Sequence, residues 1–148
     1  MEGSKIHSTV GAVIVKNQKV LLMHHKKLDK WLFPGGHIDS NETSDVAVVR
    51  EVKEETGLDF EFLEFSKLDQ APEEIKKLAL PFHSNVHNVG DHDHQCYYFL
   101  GTTNSMEFVQ NKESKELKWV GKDELDELDI ILSIKNMILL ALDKYPFL

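Results

Sequence analysis

The chain has 148 residues, and 25 acidic against 17 basic side chains leave a formal charge of −8. One domain's length with 41% hydrophobic content excludes disordered, collagenous and low-complexity classes, so a single domain over residues 1–148 is expected. The acidic balance repels phosphate backbones and argues against duplex nucleic acid as a partner. Cys96 is the only cysteine, which rules out an internal disulfide and a cysteine-based zinc knuckle and fits a reducing compartment, the cytoplasm by default. Met1-Glu2-Gly3-Ser4-Lys5 lacks the basic-then-apolar pattern of a signal peptide. No apolar run approaches the roughly 20 residues of a bilayer span, so no membrane association is expected.

In chain order, Thr9–Val15 and Val20–Met23 are β-branched, alternating runs separated by the turn formers Lys16-Asn17-Gln18, which predicts a hairpin. Trp31-Leu32-Phe33-Pro34-Gly35-Gly36 reads as a strand running into a special loop, where proline stops pairing and the glycines permit positive φ or close backbone approach. A helix is predicted from Ser44 to about Thr56, with Thr43 or Ser44 as cap, Asp45 in the first turn and Gly57 at the left-handed C′ position. Phe60–Phe65 reads as a strand, and Pro72–Lys77 as a short helix or a loop. Gln95–Leu100 and Leu117–Val120 are dense in strand formers. Ile130–Leu142 is apolar at nearly every helical phase, which predicts a helix buried on most sides.

Glu51, Glu54 and Glu55 are spaced i, i+3, i+4 and project from one face of the predicted helix. Val46, Val49 and Val52 are expected on the opposite, core-facing side. Crowded carboxylates repel unless a cation neutralises them, and hard oxygen ligands on a rigid support suit Mg²⁺ or Mn²⁺, whose remaining ligands are commonly waters and phosphate oxygens. Taken alone, the same triplet also reads as a solvated acidic face.

The surrounding residues decide between these readings. Gly36, five residues, Glu42, seven residues, Arg50-Glu51-Val52, one residue, Glu54-Glu55, one residue and Gly57-Leu58 resemble, without a departure, the signature G-x5-E-x7-R-E-U-x-E-E-x-G-U of the Nudix hydrolases. Seven fixed positions coincide by chance about once in 10⁸ to 10⁹ starts. The resemblance implies an α/β fold with a mixed β-sheet sandwiched between α-helices, and hydrolysis of a diphosphate linkage in a nucleoside diphosphate derivative by water attack on phosphorus. It implies Glu51, Glu54 and Glu55 as metal ligands with the Gly36 carbonyl, Arg50 orienting a carboxylate, Glu42 bracing loop and helix, and Gly57 as a structural position. In some members the base is a glutamate before a late tryptophan-bearing strand. Glu113 and Glu116 precede Trp119 in this way, and Glu113 is the preferred candidate, although either is also readable as a solvated loop acid.

Outside the motif, His83, His87, His92 and His94 gather before the Tyr97-Tyr98 strand, interleaved with Asp91 and Asp93. On a strand, His92 and His94 point to one side, where they could chelate zinc, contact substrate phosphate, or sit in a solvated loop. His37 is a cleft candidate because it follows Gly36, and Tyr97 could stack a base. Compact size resembles the MutT-type nucleoside triphosphate pyrophosphatases. The placement of Pro72 only loosely resembles ADP-ribose pyrophosphatases. A folded domain that binds nucleotide without turnover is the rival from another class, and such a domain would be expected to lose a motif carboxylate.

Overall fold

The computed structural model describes residues 5–68, 75–109 and 116–148. Its elements are β1 (Ile6–Lys16), β2 (Lys19–His25), β3 (Lys30–Leu32), β4 (Gly35–His37), α1 (Ser44–Thr56), β5 (Phe60–Phe62), β6 (His83–Asn88), β7 (Asp93–Thr103), β8 (Leu117–Gly121) and α2 (Leu132–Lys144). The predicted hairpin is β1–β2, pairing Val15 with Val20 and Lys16 with Lys19. Asn17 (φ 49°) and Gln18 (φ 60°) make its turn, the two successive positive-φ residues that a two-residue hairpin loop requires.

β1 also runs parallel to β7, with His7 opposite His94 and Gly11 opposite Tyr98, while the other strand pairs are antiparallel. The sheet is therefore mixed. Its main path is β3-β2-β1-β7-β5, to which β4 adds on β1, β6 on β7 and β8 on β2. Val10, Ala12 and Ile14 of β1 pack with Ala47, Val48 and Val52 of α1. Val13 and Val15 face the other way and pack with Ile134, Met137, Ile138 and Ala141 of α2. Burial on both faces is why β1 reads as a continuous apolar run from Val10 to Val15.

Several expectations need correction. The loop expected at Pro34-Gly35-Gly36 after the Trp31 strand is in part a strand: β3 pairs β2, β4 pairs β1, and between them the Pro34 carbonyl accepts from Ala12 N–H (2.8 Å). The buried face of α1 is Ala47, Val48, Val52 and Thr56, whereas Val46 and Val49 are exposed. Spacing selected a stripe about one position out of phase. α2 buries one face only, with Leu132 and Leu140 in solvent. β5 is shorter than expected, ending at Phe62, and Phe65 makes a single bridge to Ala79. Of the segment read as a short helix or a loop, Pro72 lies outside the described residues and Ile75–Lys77 are loop, in line with the second alternative. β6 was not anticipated because its residues, HSNVHN, form a polar edge strand with almost no buried side chain. The 3₁₀ turn Lys122–Glu127 was likewise unanticipated.

Candidate active site

α1 begins at N-cap Thr43, whose hydroxyl donates to Asp45 Oδ1 and makes no side-chain cap bond. It ends at Gly57, which takes φ 76° and donates its N–H to Lys53 O at 2.9 Å. Glu51, Glu54 and Glu55 lie along this helix, Glu42 just before it, and Glu51 and Glu55 meet the β4 backbone. A Cβ on Gly36 would stand 2.5 Å from Glu51 Oε1 and 2.6 Å from its Cδ, so the missing side chain lets the carboxylate lie against the strand. Gly36 has no positive φ, so close approach is the reason for glycine here.

Arg50 organises the cluster. Its Nε donates to Glu42 Oε2 (2.7 Å) and Nη2 to Glu42 Oε1 (2.9 Å), a two-point fork. Nη1 donates both to Glu51 Oε1 (3.0 Å) and to Glu54 Oε2 (3.2 Å), and Nη2 reaches the His37 carbonyl (3.0 Å). Glu42 also accepts the Asp39 N–H (3.0 Å). The Arg50 fork, aided by that backbone bond, pulls the Glu42 carboxyl down to about 2. Burial pushes Glu51 the opposite way, only partly offset by Arg50 and reinforced by Glu54 and Asp39. Glu55 turns toward β4 and accepts the Gly35 N–H at 2.7 Å.

The donor set fits a hard divalent cation. One guanidinium faces Asp39, Glu42, Glu51 and Glu54, so negative charge is left over. Glu51 and Glu54 bring oxygens to a common point at Nη1, and Mg²⁺ needs only one or two carboxylates beside waters and phosphate oxygens. Glu51, Glu54, Glu55 and the Gly36 carbonyl would hold it.

The family model for the NUDIX domain matches residues 5–139. The chain belongs to the Nudix hydrolase family. Among solved structures, a Nudix hydrolase of Clostridium perfringens is 33% identical, with TM-score 0.82 over 93% of this chain and 97% of the other. Among curated proteins, an 8-oxo-dGTP diphosphatase of Buchnera aphidicola is 30% identical over 78% of this chain and 77% of its own length. An ADP-ribose pyrophosphatase of Methanocaldococcus jannaschii is 44% identical over 33% of this chain and 31% of its own length. The chain spans 19% of a Nudix hydrolase of Caenorhabditis elegans and 56% of an 8-oxo-dGTP diphosphatase of Proteus vulgaris.

The remaining sequence-selected residues of this Nudix hydrolase divide. Tyr97 packs with the α1 side of the sheet, half-buried, and its hydroxyl accepts from Gln95 Nε2 (2.8 Å). Val10 pairs with both Tyr97 and Gly36, so the tyrosine shares a row with the platform. His37, His92 and His94 come together, but on the other face: His94 alternates with Tyr97 and lies in phase with Cys96 and Tyr98 of the α2-side core. His7 joins them, and sequence spacing gave no sign of it, because only the parallel β1–β7 register sets His7 opposite His94. Glu116 is exposed, and its backbone carbonyl accepts from His24 N–H (2.8 Å). Glu113 lies outside the described residues. Among the described residues no helix is long and apolar enough to cross a membrane.

Proposed function

We propose that this hydrolase is a MutT-like nucleoside triphosphate pyrophosphatase, one domain over residues 1–148, that releases a nucleoside monophosphate and pyrophosphate with Mg²⁺ or Mn²⁺ as its cation. The observation that carries the reading is the Arg50-centred platform, in which every motif carboxylate is present and Glu51 is laid against Gly36. A binding domain without turnover has no need of that arrangement. Relatives named 8-oxo-dGTP diphosphatase support the triphosphate over other nucleotide derivatives.

A bound divalent cation neutralises phosphate oxygens and lowers the pKa of a water. The chain's own residues supply position. Arg50 fixes Glu42, Glu51 and Glu54 relative to one another and, through the His37 carbonyl, ties α1 to β4. Glu55 does the same through the Gly35 N–H. Glu113 is assigned as the base on its place before Trp119: it takes a proton from water as the water oxygen bonds phosphorus and the bridging P–O bond breaks toward pyrophosphate. The Tyr97 ring is a candidate platform for the base of the nucleotide. The partner is a small nucleotide rather than duplex nucleic acid, in keeping with the charge of −8. A cytoplasmic setting accords with the single free, buried cysteine, Cys96.

A panel of nucleoside triphosphates, ADP-ribose, dinucleoside polyphosphates and nucleotide sugars with Mg²⁺ tests this. Triphosphates should have the highest kcat/KM. Preference for ADP-ribose would replace the substrate assignment and side with the Methanocaldococcus relative. Nucleotide binding by folded protein without turnover of any compound would overturn the enzyme reading.

A further inference from the structure

We propose that His7, His37, His92 and His94 form a second metal site, for a borderline first-row divalent cation such as Zn²⁺, separate from the carboxylate platform. One ring nitrogen per histidine lies within 4.8 Å of the others, and among the described residues this is the one group of three or more His, Cys, Asp or Glu gathered so closely. The four rings come from three stretches of chain: the start of β1, the end of β4, and the β6–β7 turn with the first residues of β7. The geometry approaches that of a closed tetrahedral site. His92 Nε2 and His94 Nε2 face each other at 3.0 Å, against an edge of ~3.3 Å for a tetrahedron with Zn–N bonds of ~2.0–2.1 Å. His7 and His92 have ring centroids 4.3 Å apart, and His37 and His94 are 5.0 Å apart.

The surroundings make these imidazoles into ligands. Asp91 Oδ1 stands 2.7 Å from His92 Nδ1, and since a carboxylate only accepts, His92 must donate there and present Nε2 to the cluster. This is the carboxylate–histidine relay that orients metal-bound imidazoles. Asp93, between His92 and His94, is fully buried; its Oδ1 accepts from Asn88 Nδ2 (3.0 Å), and its Oδ2 lacks a partner among the described residues. Four nitrogen donors suit Zn²⁺, Ni²⁺ or Cu²⁺ and are wrong for Mg²⁺. Of the three readings open for His92 and His94 in the sequence, the geometry therefore favours the metal. The same 3.0 Å approach also suits a hydrogen bond between the two imidazoles without a metal, and metal titration separates the two states.

The test is Co²⁺ and Zn²⁺ titration of chelator-stripped protein with Mg²⁺ in large excess to fill the carboxylate platform. The expected result is one equivalent of Co²⁺ with intense tetrahedral visible bands, displaced by Zn²⁺, and a rise of Tm with Zn²⁺. His7→Ala and His94→Ala should abolish the bands, and Asp91→Asn should weaken affinity about 10–100-fold. Glu51→Gln should leave the bands unchanged. His7 and Asp91 are exposed, so these two variants keep the core intact, which circular dichroism of the metal-free proteins checks. Absence of tetrahedral bands, or bands that survive His7→Ala and His94→Ala but vanish in Glu51→Gln, would overturn the site.

Discussion

Replacing Gly36 by Ala tests whether the carboxylate of Glu51 acts from a fixed place. The new Cβ would stand 2.5 Å from Glu51 Oε1 and 2.8 Å from Oε2, leaving the first contact about 0.9 Å short of ordinary van der Waals distance. The obstacle is the far end of a flexible side chain, so Glu51 swings away at little cost to the fold. A misplacement of ~1 Å in a positioned group costs on the order of 10²-fold in rate, which is about 2.7 kcal/mol of activation free energy. Gly35→Ala is the matched control. There the Cβ would meet the Val10 carbonyl oxygen at 2.1 Å and Gly11 Cα at 3.0 Å, and backbone in a paired strand cannot give way. Its cost should appear as stability, about 1–3 kcal/mol and several degrees of Tm. The assay is steady-state hydrolysis at saturating Mg²⁺ alongside thermal melts. Gly36→Ala should keep a near-native Tm and lose about two orders of magnitude in kcat, while Gly35→Ala should lose Tm. A Gly36→Ala enzyme within threefold of native kcat would contradict a fixed place for Glu51, and equal destabilisation of both variants would contradict its easy displacement.

Glu54→Gln and Glu55→Gln should each lower turnover by orders of magnitude, and Glu54→Gln should leave metal-free Tm unchanged or raised because it relieves like-charge crowding, as melts with and without Mg²⁺ would show. Glu113→Gln should depress kcat with little change in KM and Glu116→Gln should be mild; equal effects of the two would remove the base assignment. The depressed Glu42 carboxyl gives a pH signature. Its folded value of about 2 lies below the ordinary 4.5, so its contribution is fully present above 4.5 and is lost as pH falls toward 2. The Tm gap between native protein and Glu42→Gln should therefore shrink over that window, and a gap independent of pH would contradict the Arg50 fork.

The motif's residue types and spacing were legible because the chemistry requires them in a fixed local order on one helix. Gly36 and Glu51 are fifteen positions apart, yet the loop-to-helix geometry is short-range enough for a pattern to encode it. The histidine cluster is the opposite case. His7 and His94 meet through a parallel pairing between strands at distant points of the chain, and no local periodicity reports such a register. β6 escaped notice for a related reason, since an edge strand satisfies one set of backbone bonds with polar, solvated side chains and leaves no hydrophobic alternation to read. The α1 face was misjudged because Val46, Ala47, Val48 and Val49 are all apolar, so that run is compatible with more than one buried stripe, and packing under β1 selects Ala47 and Val48.

Phosphorus NMR of a nucleoside triphosphate incubated with the enzyme and Mg²⁺ bears most directly on the proposed activity. The expected products are nucleoside monophosphate and pyrophosphate in equal amounts, formed only with Mg²⁺ and at a rate lower by orders of magnitude in Glu54→Gln. Nucleoside diphosphate with inorganic phosphate, or turnover that persists in Glu54→Gln, would contradict it.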